Sequence, residues 1–204
     1  MSTPSAFQAS PLSASAAYLR KRGYAAPTDN ELADTLGLTP EALRTQYPSR
    51  EALALRYLLE DMERQKRDHV RLFAWYASPV ERLYGLISYS IQDLLDMPAN
   101  YYPDLMQYPS AAQAMQDYLA QHSTPQLQQL LNEGIRQGLF RSDINIQLVT
   151  IILIQQVNIV LTPGIFPAGS FQVAEIFRSI FLYYIRGLCT DQGARLAAEH
   201  FARM

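Results

Sequence analysis

The chain has 204 residues, 49% of them hydrophobic and 18% charged, with a net charge of −2 and an isoelectric point near 5.9. That is enough apolar material for a core, which excludes wholesale disorder. The single thiol, Cys189, excludes an intramolecular disulfide framework and a cysteine-based zinc site. No run approaches the ~20 apolar residues of a membrane-spanning helix, and the first five residues lack the basic flank and apolar run of a signal peptide. No membrane role and a cytoplasmic location are therefore expected.

Helix punctuation runs along the whole chain. Ser10-Pro11 opens a predicted helix over 11–22 that ends in Arg20-Lys21-Arg22 and Gly23. Thr28 and Glu31 have capping-box spacing, in which hydroxyl and carboxylate reciprocally satisfy orphan amides, and open 29–36. Thr39-Pro40 opens 40–46, a long helix is predicted over 50–75, and Ser78-Pro79 with Glu81 opens 79–97. Pro98, Pro103 and Pro109 predict loops up to a helix over 110–120, whose box is Ser110 with Gln113. Ser123-Thr124-Pro125-Gln126 opens 125–137. Apolar periodicity predicts helices over 144–161, 171–187 and 192–202. The β-branched run Val149–Ile154 suits a strand by composition, but its apolar extension to Leu161 is too long and fits a buried helix. The fold is read as all-α: an N-terminal three-helix head on a larger helical bundle.

Charge is unevenly placed. Residues 1–76 carry ten basic against nine acidic residues, and the rest seven against ten, so most cations lie in the first third. There, residues 28–53 have the grammar of a helix-turn-helix. Leu32, Ala33 and Leu36 form the inner face of the first helix, Gly37 permits a left-handed corner, Leu38 plugs the turn, and Thr39 caps the second helix. With Leu43 and Tyr47 inward, Thr39, Pro40, Arg44, Thr45 and Gln46 point outward, where such groups meet phosphates or base edges. The alternative reading is an αα-hairpin inside a bundle. Arg20-Lys21-Arg22 is either a phosphate clamp or a complement to its own helix C-terminus.

This stretch resembles the TetR family of bacterial transcriptional regulators. The matching pieces are Leu19-Arg-Lys-Arg-Gly23-Tyr24, Thr28 to Ala33, Leu36-Gly37-Leu38-Thr39 and Tyr47-Pro-Ser49-Arg50-Glu51-Ala-Leu53, so the motif covers roughly residues 10–58. The resemblance implies a DNA-binding head over 1–48 and an effector-binding, dimerising body over 49–204, with Thr28, Thr39, Pro40, Arg44, Thr45, Gln46 and Arg50 facing double-stranded DNA. Arg44 stands where the family usually has Tyr, Glu41 where it has Gly, and Arg50 where it has Lys. The two arginines keep a phosphate donor, whereas Glu41 would face a polyanion, so modest or lost DNA affinity is implied.

In the body, Tyr84, Tyr89, Met97, Tyr101, Tyr102, Met106, Tyr108, Met115 and Tyr118 mark either an adaptable ligand pocket or ordinary core. Few cations lie near them, so an uncharged or cationic apolar, aromatic effector is expected rather than an anionic one. Tyr84 and Tyr89 must lie on different faces, since five residues advance a helix by about 500°. Leu148, Ile152, Gln155 and Ile159, with Phe177, Phe181 and Tyr184, offer more apolar surface than one small monomer needs, so a homodimer through the last two long helices is expected. His69, His122 and His200 show no metal-ligand spacing, and phosphate-loop, nucleophile-elbow and zinc-protease motifs are missing. Neither cofactor, metal nor enzymatic activity is expected. The reading is a ligand-responsive regulator, a repressor by preference. The alternative is a small-lipid or hydrophobic-ligand-binding protein on the same fold that has lost DNA binding.

Overall fold

The computed structural model describes residues 11–25, 27–98, 100–161, 165 and 173–201. Among these the chain runs through α1 (Pro11–Arg22), α2 (Asp29–Leu36), α3 (Pro40–Gln46), α4 (Arg50–Trp75), α5 (Pro79–Leu95), α6 (Tyr101–Met106) and α7 (Pro109–Tyr118). A π-helical turn (Leu119–Ser123) then leads to α8 (Thr124–Arg136), α9 (Ile146–Leu161), α10 (Val173–Leu188) and α11 (Asp191–Phe201). The described residues contain no strand, only an isolated bridge between Phe140 and Cys189.

Two compact units divide the chain. One takes in Met1–Gln65 and Asp96–Gln116, the other Lys66–Leu95 and Asp117–Met204. Compactness thus places no break at residue 48. The first four turns of α4, together with α6 and α7, group with α1–α3.

Three local expectations are corrected. Residues 101–106 are helical rather than loop, because Pro103 is only the third helical residue, where its missing N–H had no intrahelical acceptor to lose. Ser110 is not a cap: α7 begins at Pro109, and the Ser110 amide donates to Glu51 Oε1 at 3.0 Å. Ser123 is not a cap either. Its backbone is helical (φ −66°, ψ −44°) and the chain passes through the π turn straight into α8. Pro125 explains the wider turn, since an interior proline removes one i→i−4 bond and crowds the carbonyl below it.

In the second unit, α5, α8, α9 and α10 bury Leu83, Tyr84, Leu131, Phe140, Leu153, Phe181 and Ile185. α11 is fastened to the end of this bundle by Thr190, whose amide donates to Leu139 O (3.0 Å) and whose hydroxyl donates to Gly138 O (2.7 Å). Gly193 sits so close that a Cβ would lie 2.0 Å from Leu139 O. Burial pushes the Cys189 thiol up to about 11, which leaves little thiolate near neutrality.

Candidate functional site

In the first unit the two short helices are aimed by their caps. Thr28 Oγ1 accepts from the Glu31 amide at 3.3 Å while Glu31 Oε2 accepts from the Thr28 amide at 2.8 Å. The bonds from Thr28 hold the Glu31 carboxyl below the usual range. α2 buries Leu32, Ala33 and Leu36, then ends at Gly37 in the left-handed region (φ 68°, ψ 30°). There the Leu38 amide closes on Ala33 O at 2.8 Å. Thr39 Oγ1 accepts from the Ala42 amide at 3.1 Å, with Pro40 as the first helical residue.

α3 buries only Leu43, so Thr39, Glu41, Arg44, Thr45 and Gln46 are exposed and Pro40 is half-buried. The Thr45 hydroxyl donates to Glu41 O at 3.0 Å and Gln46 Nε2 to the Tyr47 hydroxyl at 3.3 Å. Arg44 makes no ion pair with any described residue. It is the unencumbered cation of this face.

Two other basic residues are engaged inside the unit. Arg50 donates through Nη2 to Pro27 O, holds Asp29 Oδ1 at 3.4 Å through Nε, and stands over the Tyr24 ring at 5.8 Å. The Tyr24 hydroxyl in turn donates to Arg50 O at 2.5 Å. Arg50 therefore ties the α1–α2 loop to the start of α4. Arg20, one third of the basic triplet, points inward onto Asp61 at 2.6 Å. Glu51, on the first turn of α4, caps α7 across the unit, and the Ser110 amide holds its carboxyl below the usual range.

The nine Tyr and Met positions separate. Met97, Tyr101, Tyr102, Met106, Tyr108 and Met115 belong to the first unit, Tyr84, Tyr89 and Tyr118 to the second. Met97 and Tyr101 are buried. The Tyr102 hydroxyl donates to Asp61 Oδ2 at 3.3 Å, and the Tyr108 ring meets Tyr24 edge-on at 5.6 Å. Met106 and Met115 are half-buried. Tyr84 lies in the core of the second unit, where burial raises its phenol.

Tyr89 and Tyr118 converge instead on two histidines. The His69 ring lies 5.3 Å from Tyr89 and is stacked 6.1 Å from His122, which lies 5.1 Å from Tyr118. Lys66 Nζ stands 5.8 Å over the Tyr118 ring, and the Tyr89 hydroxyl donates to Asp68 Oδ2 at 3.0 Å. This ring cluster spans α4, α5, α7 and the π turn. Spacing could not reveal it, because the histidines are remote in sequence and meet only through the bundle.

On α9, Leu148 (57%), Ile151, Ile152 and Ile159 are exposed, as is Gln155. On α10 the Tyr183 ring is exposed, at 72%, and Tyr184 is half-buried. Phe181, expected on the same outer surface, lies in the core at 4% exposure. The side chain of Phe177 lies outside the described residues.

No family model matches the sequence, and no curated protein does. Solved structures do. The ketosteroid transcriptional regulator KstR2 of Mycobacterium tuberculosis is 21% identical, with a TM-score of 0.60 over 89% of this chain and 94% of its own. A protein from Saccharomonospora viridis, described as a transcriptional regulator and solved in complex with choline, is 15% identical, with a TM-score of 0.71 over 88% and 96%. A TetR-family transcriptional regulator from Agrobacterium tumefaciens is 15% identical, with a TM-score of 0.69 over 89% and 96%. Across most of its length the chain therefore shares the fold of TetR-family transcriptional regulators.

Proposed function

We propose that the chain is a DNA-binding transcriptional regulator that reads a palindromic operator as a homodimer and is released by a small apolar or aromatic effector. The observation that carries this reading is α3. It is capped at its start by Thr39, turned by Gly37, and buried on Leu43 alone, so that Thr39, Pro40, Arg44, Thr45 and Gln46 are offered outward. Thr28 adds its exposed cap at the start of α2, where backbone amides suit a phosphate. In this reading Arg50 holds the loop before α2 against α4, so that Thr28 keeps its place.

The second copy covers the exposed row Leu148, Ile152, Gln155 and Ile159 of α9, with Tyr183 and Tyr184 of α10 beside it. Isologous packing of two such helix pairs makes a four-helix interface. For the effector, the rings of His69, Tyr89, Tyr118 and His122 supply faces suited to an aromatic or cationic molecule. Such a molecule acts by favouring a head spacing that no longer fits one turn of B-DNA, about 34–36 Å.

The test is fluorescence anisotropy with duplexes from the region flanking the gene, read across a salt series, joined to a thermal-shift screen of small molecules. Salt-dependent binding of one duplex, reversed by a stabilising compound, supports the reading. The exposed Glu41 on the outward face favours a second reading, a ligand-binding protein without DNA affinity. Thermal stabilisation by a small molecule with no duplex bound at any salt would establish that one instead.

A further inference from the structure

Asp61 is a carboxylate on α4 with 2% of its surface exposed, and its two oxygens serve different parts of the first unit. Oδ1 takes Arg20 Nη1 of α1 at 2.6 Å, together with Arg64 Nη2 at 2.9 Å and Nε at 3.1 Å. Oδ2 takes the Tyr102 hydroxyl of α6 at 3.3 Å and Gln65 Nε2 at 3.5 Å, and Gln65 also donates to Tyr102 at 3.2 Å. A planar group held at one oxygen has little freedom left at the other, so α1 and α6 are bonded to a single rigid object.

Further contacts join the same two regions. The Ala25 amide donates to Asp104 Oδ2 at 3.3 Å, and the Asn100 amide group donates to the same oxygen at 2.8 Å. The Asn100 side chain also stands 3.2 Å from where a Cβ on Gly23 would be. The end of α1 and the loop after it are thus seated on residues 100–108. Those residues lie in a segment, Asp96–Gln116, whose two ends continue directly into the second unit at Leu95 and Asp117.

We propose that Asp61 is the coupling hub through which the 96–116 segment sets the position of α1, with Tyr102 and Arg20 as its two terminals. This makes Tyr102 a positioning residue for the head rather than a ligand-lining one. Movement of the segment reaches α1 through the shared carboxylate, because displacing Tyr102 leaves Oδ2 with only the 3.5 Å bond from Gln65 and lets Asp61 shift against Arg20. Coupling of this kind is reciprocal.

Hydrogen exchange on the full chain tests it with two mild substitutions, Tyr102→Phe and Arg20→Gln. Tyr102→Phe, which removes the hydroxyl bonded to Asp61 and Gln65 of α4, is expected to speed exchange of α1 amides by about 3- to 10-fold, and Arg20→Gln to speed α6 by a similar factor. Effects confined to the helix that carries each substitution would overturn the hub, and so would equal acceleration throughout the unit. A second arm rests on the DNA-binding reading: Tyr102→Phe should change duplex affinity by a comparable factor while leaving the salt slope unchanged, because no phosphate contact is lost. An unchanged affinity in a wild-type protein that does bind would count against the hub. A wild-type protein that binds no duplex would defeat the DNA-binding reading alone, and the exchange arm would still decide the coupling.

Discussion

Gly37 decides where α3 points. Its φ of 68° lies in the region that L side chains avoid, and a Cβ there would meet nothing within 4 Å, so any cost of substitution is purely one of backbone. Gly37→Ala is expected to lower unfolding stability by about 1 kcal/mol, read as an earlier midpoint in urea. Arg44 is the exposed cation of that face, and Arg44→Ala should reduce the salt slope of duplex binding by about one unit while weakening all sequences alike. An unchanged slope would remove Arg44 from the interface. Thr28, Gly37 and Thr39 were legible because cap and turn chemistry acts over three or four residues. Arg20 and Arg50 were not, since their partners lie 41 and 23 residues away and a basic residue reads alike whether it meets a phosphate or a buried carboxylate. Glu51 belongs with them, capping a helix 59 residues on. Its folded carboxyl titrates below the ordinary value of 4.5, so the stability it lends is present above about that pH and is lost as pH falls through the depressed value. Thermal melts between pH 6 and pH 3 should therefore fall less steeply for Glu51→Gln than for the wild type.

At the scale of elements, α9 and α10 were found from apolar periodicity, but which face looks inward was not, because both are apolar nearly all round. The structure turns Phe181 into the core and leaves Tyr183 outside, so a disruptive charge at 181 would report on folding rather than association. Ile152, exposed at 42%, is the proper probe. Ile152→Asp should convert a dimer near twice the 23.1 kDa chain mass into a folded monomer, measured by sedimentation. A wild type that sediments as a monomer would reject the interface. α6 and the π turn were hidden for another reason. Proline reads as a breaker, yet Pro103 falls where its missing amide costs nothing, and Pro125 is absorbed by widening one turn.

At the scale of the molecule, the unit that holds the helix-turn-helix is discontinuous. Besides Leu19, Leu32, Ala33 and Leu43, its buried residues include Leu53, Tyr57 and Leu58 of α4 and Tyr101, Leu105 and Ala111 from the later segment. A fragment of residues 1–48 lacks all six of the latter, together with Asp61 and Glu51. It is expected to show little cooperative melting by circular dichroism, whereas the full chain melts cooperatively. A sharp transition in the fragment would show that α1–α3 close their own core. The all-α class and the family resemblance of residues 10–58 are legible in the sequence. The grouping of 96–116 with the head was not, because no periodicity or cap within that segment says which distant surface it will cover.

That discontinuity also bears on how the chain is made. When Gln65 leaves the ribosome, Tyr24 has no Tyr108 to meet and Asp61 has no Tyr102. About fifty more residues must follow before Gln116 completes the unit, roughly 3–10 s at ordinary elongation rates. Through that interval the faces of α1 and α4 destined for the later segment stay open on the nascent chain. The head matures only after α4 and α5 have been synthesised, and a slow codon stretch between residues 65 and 116 would lengthen its exposure to chaperones.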